Sequence, residues 1–214
     1  MRLDAIGGRR CHGGGDTSAA GPHLNAIMSP EARAARCASL ALAECLHQLA
    51  SLIEATADAD YTWRHPSGVS GSIGAHVRHC LDHVHAIIEG AGTHMTYDHR
   101  RRATRAEEDR AFAVGQLHQA VHAFSRPGER LEQHVTLDVQ VDRDGTYVSV
   151  ASSYGRELAF VLQHTIHHKA LIALLLADRG ADVPETFALA PSTPLAPAVH
   201  ADRMKDTALF ACAR

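Results

Sequence analysis

The sequence predicts an all-α protein, a four-helix bundle with a small β-hairpin inserted before the fourth helix. Three observations lead to this prediction. Four segments repeat apolar residues with the period of an α-helix and are bounded by capping or turn residues. One short segment instead alternates apolar and polar residues, as a strand does. The chain has 214 residues and is 45% apolar, which is enough for one sizeable core.

The first two helices have clear starts. Ser29 offers a side-chain acceptor at the cap and Pro30 takes the first helical position, so a helix is expected to run to about Thr56. After a loop, the second helix is expected from about Ser72 to Glu89. The apolar stripe of the first helix is formed by Leu40, Leu42, Leu46, Leu49, Leu52 and Ile53.

The third helix is expected to begin at a capping box formed by Thr104 and Glu107 and to reach about Phe124. Residues 134–141 then alternate apolar and polar side chains, and a turn at Asp144-Gly145 leads to a second short strand at 147–150. These residues predict the β-hairpin.

The fourth helix is expected from Ser153 to about Arg179. It is apolar over most of its circumference, which is typical of a buried helix. The domain prediction that follows is an extension, 1–28, expected to be disordered, then the bundle, 29–182, and a Pro-rich tail, 183–214. The tail could form a lid, a dimer contact or a disordered end, with a short helix near Met204 to Ala211.

Composition excludes several classes of protein. A net charge of −3 and a nearly equal number of acidic and basic residues argue against a dedicated nucleic-acid binder. The longest clean apolar run, Ala170 to Ala177, is too short to span a bilayer. Five scattered cysteines without a Cys-x-x-Cys pair favour a reducing compartment. We therefore expect a cytoplasmic protein without a nucleic-acid or membrane partner.

The 17 histidines concentrate on two of the predicted helices. Spacing alone is weak evidence for a site, because so many histidines produce i,i+4 pairs by chance. The pair His118/His122 has no facing cluster and is interpreted as surface. The histidines on the second and fourth helices are His76, His79, His83, His85, His164, His167 and His168.

Burial makes the pair on the fourth helix more informative. Residues four apart lie one above the other, so His164 and His168 can direct ring nitrogens at one point in the interior. A third ligand from a facing helix would complete a three-His site with an open position, which is the catalytic arrangement. The alternative is that these are core histidines with satisfied hydrogen bonds, or a His-rich solvated face.

Two motifs resemble the DinB-like family of metalloenzymes. Residues 72–79, Ser-Ile-Gly-Ala-His-Val-Arg-His, resemble the family's S-[VI]-x-x-x-[LV]-x-H at the start of the second helix. Residues 164–171, His-Thr-Ile-His-His-Lys-Ala-Leu, resemble its H-x-x-x-H-x-x-[QL] on the last core helix. The helix order fits as well, and the resemblance extends from about Ser29 to Pro194.

The resemblance implies that His79, His164 and His168 bind one divalent metal ion. Zinc and nickel are the first candidates, and iron and manganese are the alternatives. Periodicity places His76 and His83 nearer the centre of the apolar stripe of the second helix than His79.

Three neighbouring histidines therefore have secondary assignments. His76 and His83 are candidates for substitute ligands or for residues that orient the ligands. His167 lies about a quarter turn from the pair on the fourth helix, so packing or a pocket wall is the expected role.

Other polar residues could take part in the chemistry. Glu157, two turns before His164, could act as a general base or could hydrogen-bond a ligand. An exposed acid that stabilises the helix dipole is the more common meaning of that position. Asp98, Arg100 and Arg102 lie in a polar loop that could bind an anionic substrate, or could be a solvated charge run.

The sequence thus predicts a divalent-metal-dependent enzyme that acts on a small molecule. The resemblance allows two reactions, transfer of a low-molecular-weight thiol or hydrolysis. The alternative is a non-catalytic metal-binding bundle with a stress-response or interaction role. A homodimer is compatible with either, because related bundles often pair and the tail is partly apolar.

Overall fold

The structure is a computed structural model that describes residues 28–67, 71–90, 94–98, 104–126 and 128–194. Its helices and strands follow the predicted order, with additional short elements between the long ones. The helices are α1 (Pro30–Ala55), α2 (Asp58–Tyr61), α3 (Ile73–Glu89), α4 (Arg105–Glu108), α5 (Arg110–Ser125) and α6 (Tyr154–Asp178). The strands are β1 (His94–Met95), β2 (His134–Gln140) and β3 (Tyr147–Ser153), and a 3-10 helix (Glu129–Glu132) precedes β2.

Serine side chains cap three of the long helices. The Oγ of Ser29 accepts a hydrogen bond from the N–H of Ala32 at 3.1 Å, at the start of α1. Ser72 and Ser153 cap α3 and α6 in the same way. Each serine satisfies one of the backbone donors that a helix leaves without a partner at its N-terminus. The starts predicted from the sequence are therefore confirmed for these helices.

The predicted third helix is interrupted, which corrects the sequence prediction. Asp109 has an extended backbone, φ −105° and ψ 98°, and separates α4 from α5. Its carboxylate accepts the N–H of Phe112 at 2.9 Å, whereas the Thr104 side chain makes no capping bond. A tertiary contact holds α4 in place, because the backbone at Gly74 packs directly against the carbonyl of Glu107.

The four long helices pack on one another around a common core. α1 contacts α5 and α6, and α3 contacts the same two helices from the other side. Their apolar faces exclude water from side chains on all four helices, which is the main favourable contribution to folding. The fully buried side chains include Leu42, Leu46, Leu49, Ile53, Ile73, Val77, Leu117, Leu158, Val161 and Ile172.

The predicted hairpin is present and belongs to a three-stranded sheet. β2 and β3 are antiparallel, with Gln140 opposite Tyr147, and Gly145 takes φ 90° in the connecting turn. The third strand, β1, pairs in parallel with β2, so that Met95 lies opposite Leu137. The sequence did not predict β1, because two residues are too few to show an alternating pattern.

The first part of the tail packs back onto the helices. Phe187 is buried, and the Nζ of Lys169 lies 4.4 Å from the centre of its ring. The same ammonium group donates a hydrogen bond to Gln48 at 2.7 Å. Residues 1–27 and 195–214, including the helix predicted near 204–211, lie outside the described residues, so the domain limits stay a prediction.

Helix α6 is as long and as apolar as a membrane-spanning helix. Among the described helices, α6 alone is long and apolar enough to cross a membrane by length and composition, with a mean hydropathy of 1.3. The core helix of a soluble protein passes the same test. Here α6 packs against α1 and α3, and it carries buried polar side chains, Glu157, Thr165 and Lys169.

Candidate metal centre

Three histidine side chains converge between α3 and α6. One ring nitrogen from each of His79, His164 and His168 lies within 4.8 Å of the other two. The Nε2 atoms of His79 and His164 are 2.9 Å apart. Nitrogen ligands of a tetrahedral zinc ion lie about 3.3 Å apart, as bond lengths of about 2.0–2.1 Å require. Small movements would therefore let the three nitrogens bind one ion.

Helix geometry accounts for this convergence. His164 and His168 are four residues apart on α6, so their side chains lie on one face of the helix. His79 is on α3, which packs against that face of α6. The His79 and His164 side chains are half-buried and His168 is buried. The sequence prediction grouped the same three residues.

The environment of His168 suits a neutral ligand. Burial, followed by the nearby rings of His164 and His76, lowers the pKa of His168 to about 3. A neutral imidazole keeps the lone pair that a metal ion needs. The donor set therefore fits a divalent ion, since imidazole binds zinc, nickel and iron.

The histidines assigned secondary roles surround the three. Nδ1 of His76 lies 3.0 Å from Nδ1 of His168, so one of these rings donates a hydrogen bond to the other. His83 stacks on His164, with ring centres 4.1 Å apart and planes 24° from parallel. His167 is exposed and its ring centre lies 5.2 Å from that of His168, and its expected role in packing or in a pocket wall stays a prediction.

Comparison with known proteins identifies the family. Residues 41–172, which include all three histidines, match the sequence model of the DinB superfamily. The chain belongs to the DinB superfamily. This is a metal-binding family. The three-His cluster of this DinB protein therefore lies in a chain of a metal-binding family.

A second comparison gives a partial relative. FK506-binding protein 5 of Rhizopus delemar is 34% identical over 103 residues, which are 47% of this chain and 27% of that protein. The chain thus spans about a quarter of the length of that relative. No solved structure matches this DinB protein.

The position of Glu157 in the first turn of α6 suggested an exposed acid, and that expectation is wrong. Its side chain is 0% exposed. The carboxylate accepts hydrogen bonds from the Tyr97 hydroxyl at 2.8 Å, the Ser152 hydroxyl at 2.5 Å and the Arg156 guanidinium at 2.8 Å. None of these three donors is a histidine, and one of them, a neighbour that stacks on His83, links Glu157 to the cluster. A general-base role stays a prediction.

That neighbour is Tyr97, which sequence reasoning missed. Its ring stacks on His83, with centres 4.9 Å apart and planes 12° from parallel. Burial, and then the adjacent Glu157 carboxylate, raise the pKa of Tyr97 well above its usual value, so the hydroxyl stays protonated and donates. Phe160 adds a second aromatic contact, with its ring centre 5.7 Å from that of His164. The spacing of Phe160, four residues before His164, was a signal that could have revealed it.

The polar loop is described only in part. The carboxylate of Asp98 accepts the backbone N–H of Gln140 at 2.8 Å, which extends the pairing of β1 with β2. This bond gives Asp98 a structural role. Arg100 and Arg102 lie outside the described residues. A substrate-binding role for the three residues therefore stays a prediction.

Proposed function

We propose that this DinB protein is a divalent-metal-dependent enzyme that acts on a small molecule. The convergence of ring nitrogens from His79, His164 and His168 supports the proposal. A divalent ion held by three neutral imidazoles supplies a Lewis acid with room for a further ligand. Zinc and nickel are the proposed metals, and iron and manganese are the alternatives. The proposal includes a four-helix bundle formed by α1, α3, α5 and α6.

The surrounding residues have defined tasks in this proposal. His76 orients the ring of His168 through the bond between their Nδ1 atoms. His83 and Phe160 pack on His164 and restrict the rotation of its ring. His79 and His164 are half-buried, so the cluster is not fully enclosed by the protein. A small molecule is therefore the proposed substrate class.

Two reactions are proposed for the site, transfer of a low-molecular-weight thiol and hydrolysis of an ester or amide. A divalent ion held by His79, His164 and His168 would supply a Lewis acid for either reaction. The protein is proposed to act in the cytoplasm. Cys45 and Cys80 are buried thiols in the described part of the chain, which suits a reducing compartment. A homodimer is a further proposal, to be tested by sedimentation.

The deciding experiment is metal analysis of untagged protein. We expect about one ion per chain, and loss of that ion in His164→Ala. His118→Ala is the matched control, because His118 forms a surface pair with Glu54 at 2.8 Å and lies on α5. The proposal would be refuted if the wild-type protein contained no metal and if His164→Ala had the same stability as the wild-type protein.

Activity assays then separate an enzyme from a binding module. The protein is screened for thiol transfer to electrophiles and for ester and amide hydrolysis, with and without a chelator. Turnover that the chelator abolishes and the metal restores supports the enzyme. Bound metal without any turnover would favour the non-catalytic stress-response or interaction module.

A further inference from the structure

Three rings form a continuous stack that ends at the candidate metal centre. Tyr97 stacks on His83 at 4.9 Å, and His83 stacks on His164 at 4.1 Å, both with planes less than 25° from parallel. The middle ring is held by its own helix, because Nδ1 of His83 donates to the carbonyl oxygen of His79 at 3.0 Å. The plane of the His164 ring therefore depends on the position of the two rings stacked behind it.

The outer end of the stack is anchored by a buried carboxylate. The Tyr97 hydroxyl donates to Oε2 of Glu157, while Ser152 and Arg156 donate to Oε1. Glu157 is fully buried in the first turn of α6, so it has little freedom to move. Hydrogen bonds to a charged acceptor are short and strong, and burial strengthens them.

The position of the Tyr97 ring depends on its hydrogen bond to Glu157, because of where Tyr97 lies in the chain. Tyr97 lies two residues after the end of the two-residue strand β1, and Asp98 ties the next position to β2. The tyrosine side chain thus joins the edge of the sheet to α3 and α6. Apart from its hydroxyl bond, the Tyr97 ring contacts His83 and Phe160, whose ring centre is 5.2 Å away, and it packs against the edge of the core.

We propose that Tyr97 is a positioning residue, whose hydrogen bond to Glu157 holds the His83–His164 stack and so sets the orientation of a metal ligand. The inference rests on the proposed function, because it treats His164 as a ligand. It assigns Glu157 a role through Tyr97 instead of direct proton transfer. Partners of this kind tune metal affinity because they fix the ligand before the ion binds.

Substitutions that remove single groups test the proposal. Tyr97→Phe keeps the stacked ring and removes the hydroxyl, and Glu157→Gln keeps the size and removes the charge. We expect each to weaken zinc binding by about 3- to 10-fold, below the 10–100-fold typical of residues bonded directly to a ligand. The double variant should bind zinc about as tightly as the single variant with the lower affinity. Both substitutions act on the same hydrogen bond, so their effects should not add.

Tyr61→Phe is the matched control. Tyr61 is also a buried tyrosine, and its hydroxyl donates to the carbonyl oxygen of Ala106 at 2.6 Å instead of to Glu157. The substitution removes an equivalent hydroxyl, and we expect zinc affinity and the visible spectrum of the Co²⁺-loaded protein to stay unchanged. Tyr97→Phe should change both. Equal effects of Tyr97→Phe and Tyr61→Phe, or none from either, would overturn the proposal.

A measurement on metal-free protein keeps this test separate from the proposed function. The ring resonances of His83 and His164 in NMR spectra report the stack directly. Tyr97→Phe should shift both, and Tyr61→Phe should leave both in place. If the wild-type protein binds no metal, the proposed function fails, and the NMR comparison still decides whether Tyr97 positions His164. Unshifted resonances in a folded Tyr97→Phe variant would refute the positioning role.

Discussion

Nδ1 of His76 lies 3.0 Å from Nδ1 of His168, across the interface between α3 and α6. This contact uses one ring nitrogen of His168 and leaves the other, Nε2, for a further partner. A metal-binding histidine commonly has such a partner on its second nitrogen, which fixes the tautomer and the ring orientation. The role of His76 as a residue that orients a ligand stays a prediction, and this contact supports it.

We predict that His76→Ala weakens metal binding without abolishing it. Loss of the bond to His168 leaves the ligand free to rotate, and such losses cost about 10- to 100-fold in metal affinity. Competition titration against a chromophoric chelator measures the effect. An affinity equal to that of wild-type protein would show that the two rings pair without orienting a ligand.

Substitution of His168 should have a larger effect than substitution of the next histidine along the chain. His168→Ala removes one of the three converging nitrogens, and we expect the bound ion to be lost. His167→Ala is the control, because His167 is exposed and outside that group in the described part of the chain. Metal content by elemental analysis distinguishes the two. Similar metal loss in both variants would argue against the proposed ligand set.

The close approach of α3 and α4 should make Gly74 intolerant of a side chain. A Cβ at this position would lie 2.1 Å from the carbonyl oxygen of Glu107 and 2.8 Å from Cε1 of Tyr61. We expect Gly74→Ala to lower the free energy of unfolding by about 1–3 kcal/mol, the usual cost of overpacking. Urea denaturation measures it.

The control for that substitution is Gly115→Ala in α5. Nothing lies within 4 Å of a Cβ built at Gly115. Alanine has the higher helix propensity, so this change should raise the free energy of unfolding by about 0.5–1 kcal/mol. Opposite signs for the two glycines would confirm that packing, and not helix propensity, decides at Gly74.

The buried tyrosine Tyr61 should make stability depend on alkaline pH. Burial, and then the nearby carboxylates of Asp109 and Glu107, raise the pKa of Tyr61 well above the value of about 10 that is usual for tyrosine. Above about pH 10 the unfolded chain releases the tyrosine proton while the folded chain retains it. The free energy of unfolding of the wild-type protein therefore falls as the pH rises. Tyr61→Phe lacks the hydroxyl whose ionisation causes this pH dependence. The difference in free energy of unfolding between wild type and variant should therefore shrink above pH 10.

That comparison is made by urea denaturation at several pH values. Below pH 10 the variant should be less stable, because it loses the hydrogen bond to Ala106, worth about 0.5–1.5 kcal/mol. If the difference in free energy of unfolding between wild type and Tyr61→Phe stayed constant up to pH 12, the Tyr61 hydroxyl would not have the raised pKa that its burial causes.

The sequence by itself determined the features that depend on neighbours along the chain. Helical periodicity and capping serines located α1, α3 and α6, and strict alternation located β2 and β3. The pairing of His164 with His168 is also local, because four residues make about one turn of helix. The choice of His79 as the third member came from the resemblance to the DinB-like family, and the structure places its ring nitrogen beside the other two.

Tertiary structure alone decided the contacts between distant segments. Packing of α3 against α4, together with the cap at Asp109, divided the predicted third helix, and pairing with β2 created a strand of only two residues. Burial of Glu157 and its bond to Tyr97, 60 residues away in sequence, follow from how the sheet meets α6. Periodicity carries no information about which residues meet across an interface, because that depends on the relative position of whole elements.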